Sequence, residues 1–194
     1  MREASFARKT KETEIAVKVN LDGSGKAAVD TGIGFFDHML TALAVHSGMD
    51  MDITAKGDLF VDGHHTVEDT GLVLGQAIGQ ALGDKNGITR FGFAGIPMDE
   101  ALASVAIDIS GRPYLVFNAD LQSGRVGGFD CCLTEEFFRA LATKAGMTVH
   151  INLLYGENNH HKIEAIFKAF AHTFRMATAQ TGDARALSSK GILE

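Results

Sequence analysis

His38-Met-Leu-Thr-Ala-Leu-Ala-Val-His-Ser-Gly-Met-Asp-Met-Asp-Ile53 occurs a second time as Glu136-Phe-Phe-Arg-Ala-Leu-Ala-Thr-Lys-Ala-Gly-Met-Thr-Val-His-Ile151, at a constant offset and sharing Ala-Leu-Ala and Gly-Met. Further along each copy, His64-His65-Thr-Val-Glu68 is echoed by His160-His161-Lys-Ile-Glu164, with the intervening loop two residues shorter. A repeat of this length makes the chain two related halves. We divide it into half-repeats at 1–88 and 89–180, followed by a tail at 181–194. Each half reads in the same order. Thr13 to Leu21 and Lys26 to Asp30 alternate apolar and polar residues, with the turn pair Asp22-Gly23 between them, and predict a hairpin. Phe35 to Val45 carries apolar residues at helical spacing and stops at Gly48; Met49 to Ala55 returns to period two. A helix from about His65 to Leu82, ending at Gly83, follows. The second half predicts strands near Leu102–Ile109, Tyr114–Asp120 and Thr148–Leu154, and helices at Leu133–Ala145 and Lys162–Ala179. Hairpins grouped apart from helices indicate an α+β fold, with helices packed on antiparallel sheets. The polar tail from Thr181 reads as loop.

A chain of 194 residues, 45% hydrophobic, can bury a real core. Its two cysteines, Cys131 and Cys132, are neighbours and supply no disulfide framework, so a reducing compartment is expected. The opening MREASFARKTKE resembles no signal peptide, and no later stretch is apolar for long enough to span a bilayer. A soluble cytoplasmic protein follows, without membrane attachment. The net charge of −6 and the lack of any Lys/Arg run argue against nucleic acid as a partner. Eight histidines are the unusual feature.

In each HHxxE segment the first histidine lies one helical turn from the glutamate, so imidazole and carboxylate can converge on one ion. Adjacent histidines point in different directions and can serve different metals. Mixed imidazole and carboxylate donors suit Mn²⁺, Fe²⁺ or Zn²⁺. HHxxE could also merely cap helices, but two copies at equivalent places weigh against that. His38 corresponds in the repeat to Glu136, which completes a candidate ligand set of His38, His64, His65, Glu68, Glu136, His160, His161 and Glu164. His46 and His150 lie off the pattern; His150 is expected to be a buried, hydrogen-bonded or supporting residue, and His172 a surface one. Arg90, Arg112 in Ser110-Gly-Arg-Pro113, and Ser188-Ser-Lys190 supply what a single phosphate needs: cations, hydroxyls and open N–H groups.

Over essentially its whole length the chain resembles the imidazoleglycerol-phosphate dehydratase family. The resemblance is carried by Lys11-Glu12-Thr13, Gly34-Phe-Phe-Asp-His-Met-Leu40, Asp62-Gly-His-His-Thr-Val-Glu-Asp69, Arg90-Phe-Gly92, Asp99-Glu-Ala-Leu102, Asp108-Ile-Ser-Gly-Arg-Pro113, Gly156-Glu-Asn-Asn-His-His-Lys-Ile-Glu164, Phe167-Lys-Ala-Phe170 and Ser188-Ser-Lys-Gly191. It implies a four-helix layer between two four-stranded sheets, a 24-subunit shell with active sites shared between subunits, and two Mn²⁺ per site. It implies loss of water from imidazole glycerol phosphate to give imidazole acetol phosphate in histidine biosynthesis. The route is an imidazolate whose electrons expel the hydroxyl, leaving a diazafulvene-like species. Glu12 and Glu164 are the implied proton carriers; Arg90, Arg112, Lys168, Ser188 and Lys190 would hold the phosphate. Two positions depart from the family: many members have His at Glu136, and some have a polar amide at Ala42. A dinuclear phosphoester hydrolase and a non-enzymatic, metal-bridged assembly protein are the competing readings.

Overall fold

A computed structural model describes residues 1–183 and 185–193; Ala184 and Glu194, at the tail, lie outside the described residues. Strands β1 (Glu3–Lys9), β2 (Thr13–Asn20) and β3 (Ala27–Asp30) precede helix α1 (Gly34–Ser47), strand β4 (Asp50–Gly57) and helix α2 (His64–Leu82). The second half has β5 (Phe91–Met98), β6 (Ala101–Asp108) and β7 (Tyr114–Asn118), then the short pair β8 (Arg125–Val126) and β9 (Phe129–Asp130). It closes with α3 (Leu133–Ala145), β10 (Thr148–Tyr155) and α4 (Asn159–Thr178). The two large sheets share one topology, β1-β2-β4-β3 and β5-β6-β10-β7.

Period-two alternation on β2 buries Thr13, Ile15, Val17 and Val19, and on β6 it buries Ala101, Ala103, Val105 and Ile107. Each central strand thus offers one apolar face, and the helices cover it: α2 lies on β1 and β2, and α4 on β5 and β6. The helices also pair with each other, α1 with α4 and α2 with α3. Among the described residues the fold is α+β, with four helices and two four-stranded mixed sheets. Six phenylalanines of the helices, among them Phe36, Phe137, Phe138 and Phe167, are fully buried, and Phe129 of β9 joins them. Removing each from water contributes on the order of 2–3 kcal/mol before entropy is charged.

The repeated Gly-Met marks a shared helix stop. Gly48 (φ 76°) and Gly146 (φ 66°) adopt the left-handed conformation and donate their N–H to the carbonyls of Ala44 and Ala142. Where α2 crosses α3 the backbones nearly touch: a Cβ on Gly71 would lie 2.7 Å from the Phe137 carbonyl, and one on Gly75 2.6 Å from that of Leu141.

Three expectations are corrected. β2 and β3 do not form a hairpin; β2 pairs antiparallel with β1 and β4, while β3 pairs parallel with β4. The sheets are mixed, because β7 likewise runs parallel to β10. β1 and β5, which supply the outer antiparallel strand of each sheet, were not anticipated. The tail's described residues carry neither helix nor strand, as expected; an isolated bridge of Gln180 to Ile88 lies just before it.

Candidate metal centre and phosphate pocket

Both HHxxE segments sit on the first turn of a helix, and a short side chain two residues earlier fixes each entry. Asp62 Oδ1 accepts the backbone N–H of His64 at 2.8 Å, and Asn158 Oδ1 accepts that of His160 at 2.9 Å. The i, i+4 spacing then brings His64 Nε2 to 3.6 Å from Glu68 and His160 Nε2 to 3.1 Å from Glu164. Packing of α1 against α4 adds His38 to the second pair, its Nε2 3.6 Å from the same Glu164 oxygen. Donor atoms of His38, His160 and Glu164 all lie within 4.8 Å of one another, close enough for one ion.

Glu164 is the buried member, only 6% exposed. Burial opposes its ionisation, but the hydrogen bond and charge of Lys168 (Nζ at 2.6 Å), with help from His160 and His38, outweigh it and hold the carboxyl below its usual range. The remaining oxygen of this carboxylate faces the two imidazoles. Imidazole and ionised carboxylate together fit Mn²⁺, Fe²⁺ or Zn²⁺. Thiolate ligation finds no support, since burial and the adjacent Asp130 push the Cys132 thiol up to about 11.

The second histidine of each motif turns away, the ring planes crossing at 89° for His64 and His65 and at 79° for His160 and His161. Each donates through Nδ1 to a carboxylate: His65 to Asp58 at 3.1 Å, and His161 to Glu100 at 2.6 Å. With Nδ1 occupied, Nε2 is the nitrogen presented outward, the arrangement in which a carboxylate orients a metal-binding imidazole. Backbone N–H groups of Glu157 and Asn158, together with His161, keep Glu100 ionised, its pKa held down to about 2. Asp58 was missed because nothing local marks it; Glu100 stands within the Asp99-Glu-Ala-Leu102 motif but was given no role, because its loop between β5 and β6 meets His161 only through the fold.

Other predicted residues fall in distinct places. Glu136 points to Arg139 (4.0 Å) and is not part of the three-residue cluster. Glu12, exposed in the turn between β1 and β2, lies near enough to His65 to raise its pKa alongside Asp58. Arg112, Ser188 and Lys190 line a cavity of about 260 Å³ together with Arg90 and Ser110. Arg90 holds a left-handed backbone (φ 71°) that is costly for a side-chain-bearing residue, fixed by its N–H to Ala177 and its carbonyl to Ile109. Its guanidinium grips Asp108 at 2.7 and 3.1 Å and the Leu187 carbonyl at 2.6 Å, pinning the tail. Lys168 is elsewhere, on Glu164 and Met98 Sδ. Two expectations are overturned: His150 is exposed on the outer face of β10, and His172 is half buried against His46.

Arg90 touches α4 at Ala177, whereas His160 opens that helix. At 1.5 Å per residue the two ends are about 25 Å apart. In a single chain the metal-type donors and the phosphate-type cations therefore occupy opposite ends of one helix.

The imidazoleglycerol-phosphate dehydratase family matches over residues 31–174. The imidazoleglycerol-phosphate dehydratase of an Exiguobacterium species is 52% identical over 194 residues, all of both chains, and that of Desulfitobacterium hafniense is 55% identical over all of this chain and 99% of the other. Among solved structures, the Staphylococcus aureus imidazoleglycerol-phosphate dehydratase superposes with a TM-score of 0.82 at 44% identity, covering 91% of this chain and 99% of that one. The Pyrococcus furiosus enzyme, solved with (S)-C348, gives 0.83 at 41% identity, covering 96% and 99%. No helix among the described residues is long and apolar enough to cross a membrane. With full-length likeness in both sequence and fold, and with imidazole and carboxylate donors brought together at the repeated motifs, the chain belongs to the imidazoleglycerol-phosphate dehydratase family, hydro-lyases of histidine biosynthesis.

Proposed function

We propose that this chain dehydrates imidazole glycerol phosphate to imidazole acetol phosphate with two Mn²⁺ per site, in the cytoplasm, as a 24-subunit shell. The observation that carries the metal reading is the convergence of His38, His160 and Glu164. His64, His65, Glu68, Glu136 and His161 complete the ligand sets across subunit boundaries. The 25 Å separation along α4 supports a shared site, since a substrate of a few carbons with one phosphate cannot reach both ends. The divisions 1–88, 89–180 and 181–194 then have distinct duties: each half-repeat supplies metal ligands, and the tail closes on the phosphate.

Bound Mn²⁺ would supply Lewis acidity that favours loss of the substrate's ring proton and, with it, departure of the neighbouring hydroxyl. The chain's own residues do the rest. Asp58 and Glu100 aim the second histidine of each motif. Glu12, beside His65, and Glu164, kept ionised by Lys168, are the carboxylates able to carry the proton removed from carbon and returned as the ketone forms. Arg90, Arg112, Ser188 and Lys190 hold the phosphate and so fix the ring's position, while Lys168, paired with Glu164, would reach it only from the metal end of a neighbouring chain. The decisive experiment is turnover of imidazole glycerol phosphate by metal-stripped protein with and without Mn²⁺. Activity restored by Mn²⁺ is expected; phosphate release in place of acetol formation would mean a hydrolase.

A further inference from the structure

Asp69 stands four residues after His65 on α2, so the two share a face, and it is 7% exposed. Two side chains of the β1–β2 hairpin reach its Oδ2, the Arg8 guanidinium and the Thr13 hydroxyl, the latter at 2.5 Å. With a guanidinium beside it this carboxylate only accepts, so the Thr13 proton points to Asp69. Thr10 is then the donor in the 3.3 Å contact between the Thr10 and Thr13 hydroxyls. Thr10 Oγ1 in turn accepts the backbone N–H of Glu12 at 3.1 Å and that of Thr13 at 3.0 Å. A directed chain of hydrogen bonds therefore runs from the buried carboxylate of α2 to the peptide of Glu12, each link polarising the next.

The end of the hairpin needs such a tether. Thr10, Lys11 and Glu12 are all exposed, and the Lys9–Glu14 ion pair that brackets them (2.7 Å) is exposed too, a kind of contact that adds little. Below the turn there is no play. Thr13 pairs with Gly57 of β4, where a Cβ would lie 2.0 Å from Thr66 Oγ1 in the first turn of α2. β2, β4 and α2 are thus locked together at Thr13, and Glu12, the residue before it, comes to lie beside His65, one helical turn before Asp69. An apolar contact would hold α2 on the sheet without the desolvation that a buried carboxylate incurs, but it could not fix the direction of the turn.

We propose that Asp69, acting through Thr13 and Thr10, is a positioning residue for the dehydration: the chain fixes the peptide of Glu12, so that its carboxylate stays beside His65 and meets the substrate in one orientation. Arg8 balances the charge of Asp69, so the anchor does not repel the carboxylate it aims. The inference rests on the proton-carrying role proposed for Glu12 and adds the device that directs it.

The test compares the natural protein with Thr13→Val, Thr13→Ser, Glu12→Gln and the Glu12→Gln/Thr13→Val double variant, all full-length and loaded with Mn²⁺. Valine keeps the shape of threonine and leaves Arg8 on Asp69, so the fold should persist. Loss of aim should lower kcat on the order of 10-fold, with KM and Mn²⁺ stoichiometry at the natural level. Thr13→Ser, which keeps the hydroxyl, should recover most of that loss. Amide exchange in the Thr10–Glu14 segment, read by mass spectrometry, should quicken in Thr13→Val and not in Thr13→Ser. In the Glu12→Gln background Thr13→Val should lower kcat no further, because the two residues act as one unit. Natural kcat in Thr13→Val, or a loss that persists once Glu12 is gone, would overturn the inference and leave the dehydratase reading intact. A Glu12→Gln enzyme with natural kcat, or a natural protein without turnover, would instead overturn the proton-carrier reading and this inference with it. If Thr13→Val does not assemble, Thr10→Ala on the exposed turn breaks the chain at its other end: the same fall in kcat supports the inference and natural kcat overturns it.

Discussion

His161 and Glu100 show how a residue's role can be set by a partner the sequence hides. The HHxxE motifs were legible because they occur twice and because a four-residue step on a helix has only one geometric meaning. Glu100 carries no such mark; it becomes meaningful once β6 and β10 pair and bring its loop to the start of α4. A carboxylate that fixes the ring of a metal-ligating histidine typically accounts for 10–100-fold in metal affinity. Glu100→Gln should therefore weaken Mn²⁺ binding by about that factor with the melting temperature little changed, and Asp58→Asn should do the same at His65; isothermal titration and thermal melts check both. His150 was misjudged for a related reason. Alternation placed it in a strand, but with Val149 and Ile151 fully buried the parity leaves His150 outside, and a strand's inner face is decided by its neighbours, not by polarity alone.

Helices were read closely because Gly48, Gly83 and Gly146 punctuate them, whereas strand partnering was not readable. Asp22-Gly23 is a sound turn signal, yet the turn does not return β3 to β2: Asp50 Oδ1 accepts the N–H groups of Ser24 and Lys26, both at 2.8 Å, and draws the chain across to β4. Local chemistry specifies a bend; which strand receives the next one is a property of the sheet. β1 escaped notice because its inward positions are Ala4, Phe6 and Arg8, too polar a set to read as a buried face. Arg8 and Thr13 both reach Asp69, which is 7% exposed on α2, and this polar contact secures the edge strand. At the α2–α3 crossing, Gly71→Ala would gain about 1 kcal/mol of helix propensity but force a methyl to 2.7 Å from the Phe137 carbonyl. Overpacking at about 1–3 kcal/mol outweighs that gain, so the variant should melt several degrees lower, measured by calorimetry.

At the scale of the molecule, the repeat implied two equivalent ligand sets, and the single chain assembles only one of them closely: His38 joins His160 and Glu164, while Glu136 turns to Arg139 and leaves His64 and Glu68 as a pair. A chain that presents half of its donors outward, and keeps Arg90, Arg112 and Lys190 at the far end of α4, fits the proposed site shared between neighbours. Two consequences can be measured. Arg112→Ala should raise KM for the phosphorylated substrate far more than it lowers kcat, because the phosphate serves binding and not the ring chemistry; unchanged KM would remove Arg112 from the pocket. The stronger test mixes two disabled proteins. On the proposed roles His160→Ala removes a metal ligand and Arg112→Ala a phosphate anchor, so each assembled alone should be nearly inactive at low substrate. If one site takes its metals from one chain and its phosphate cations from another, random co-assembly of equal amounts rebuilds about a quarter of the sites intact. If every site lay within one chain, no mixture could exceed the average of its parents. Co-refolding the two variants and assaying at low substrate therefore separates a shared site from a private one, whatever the size of the proposed shell.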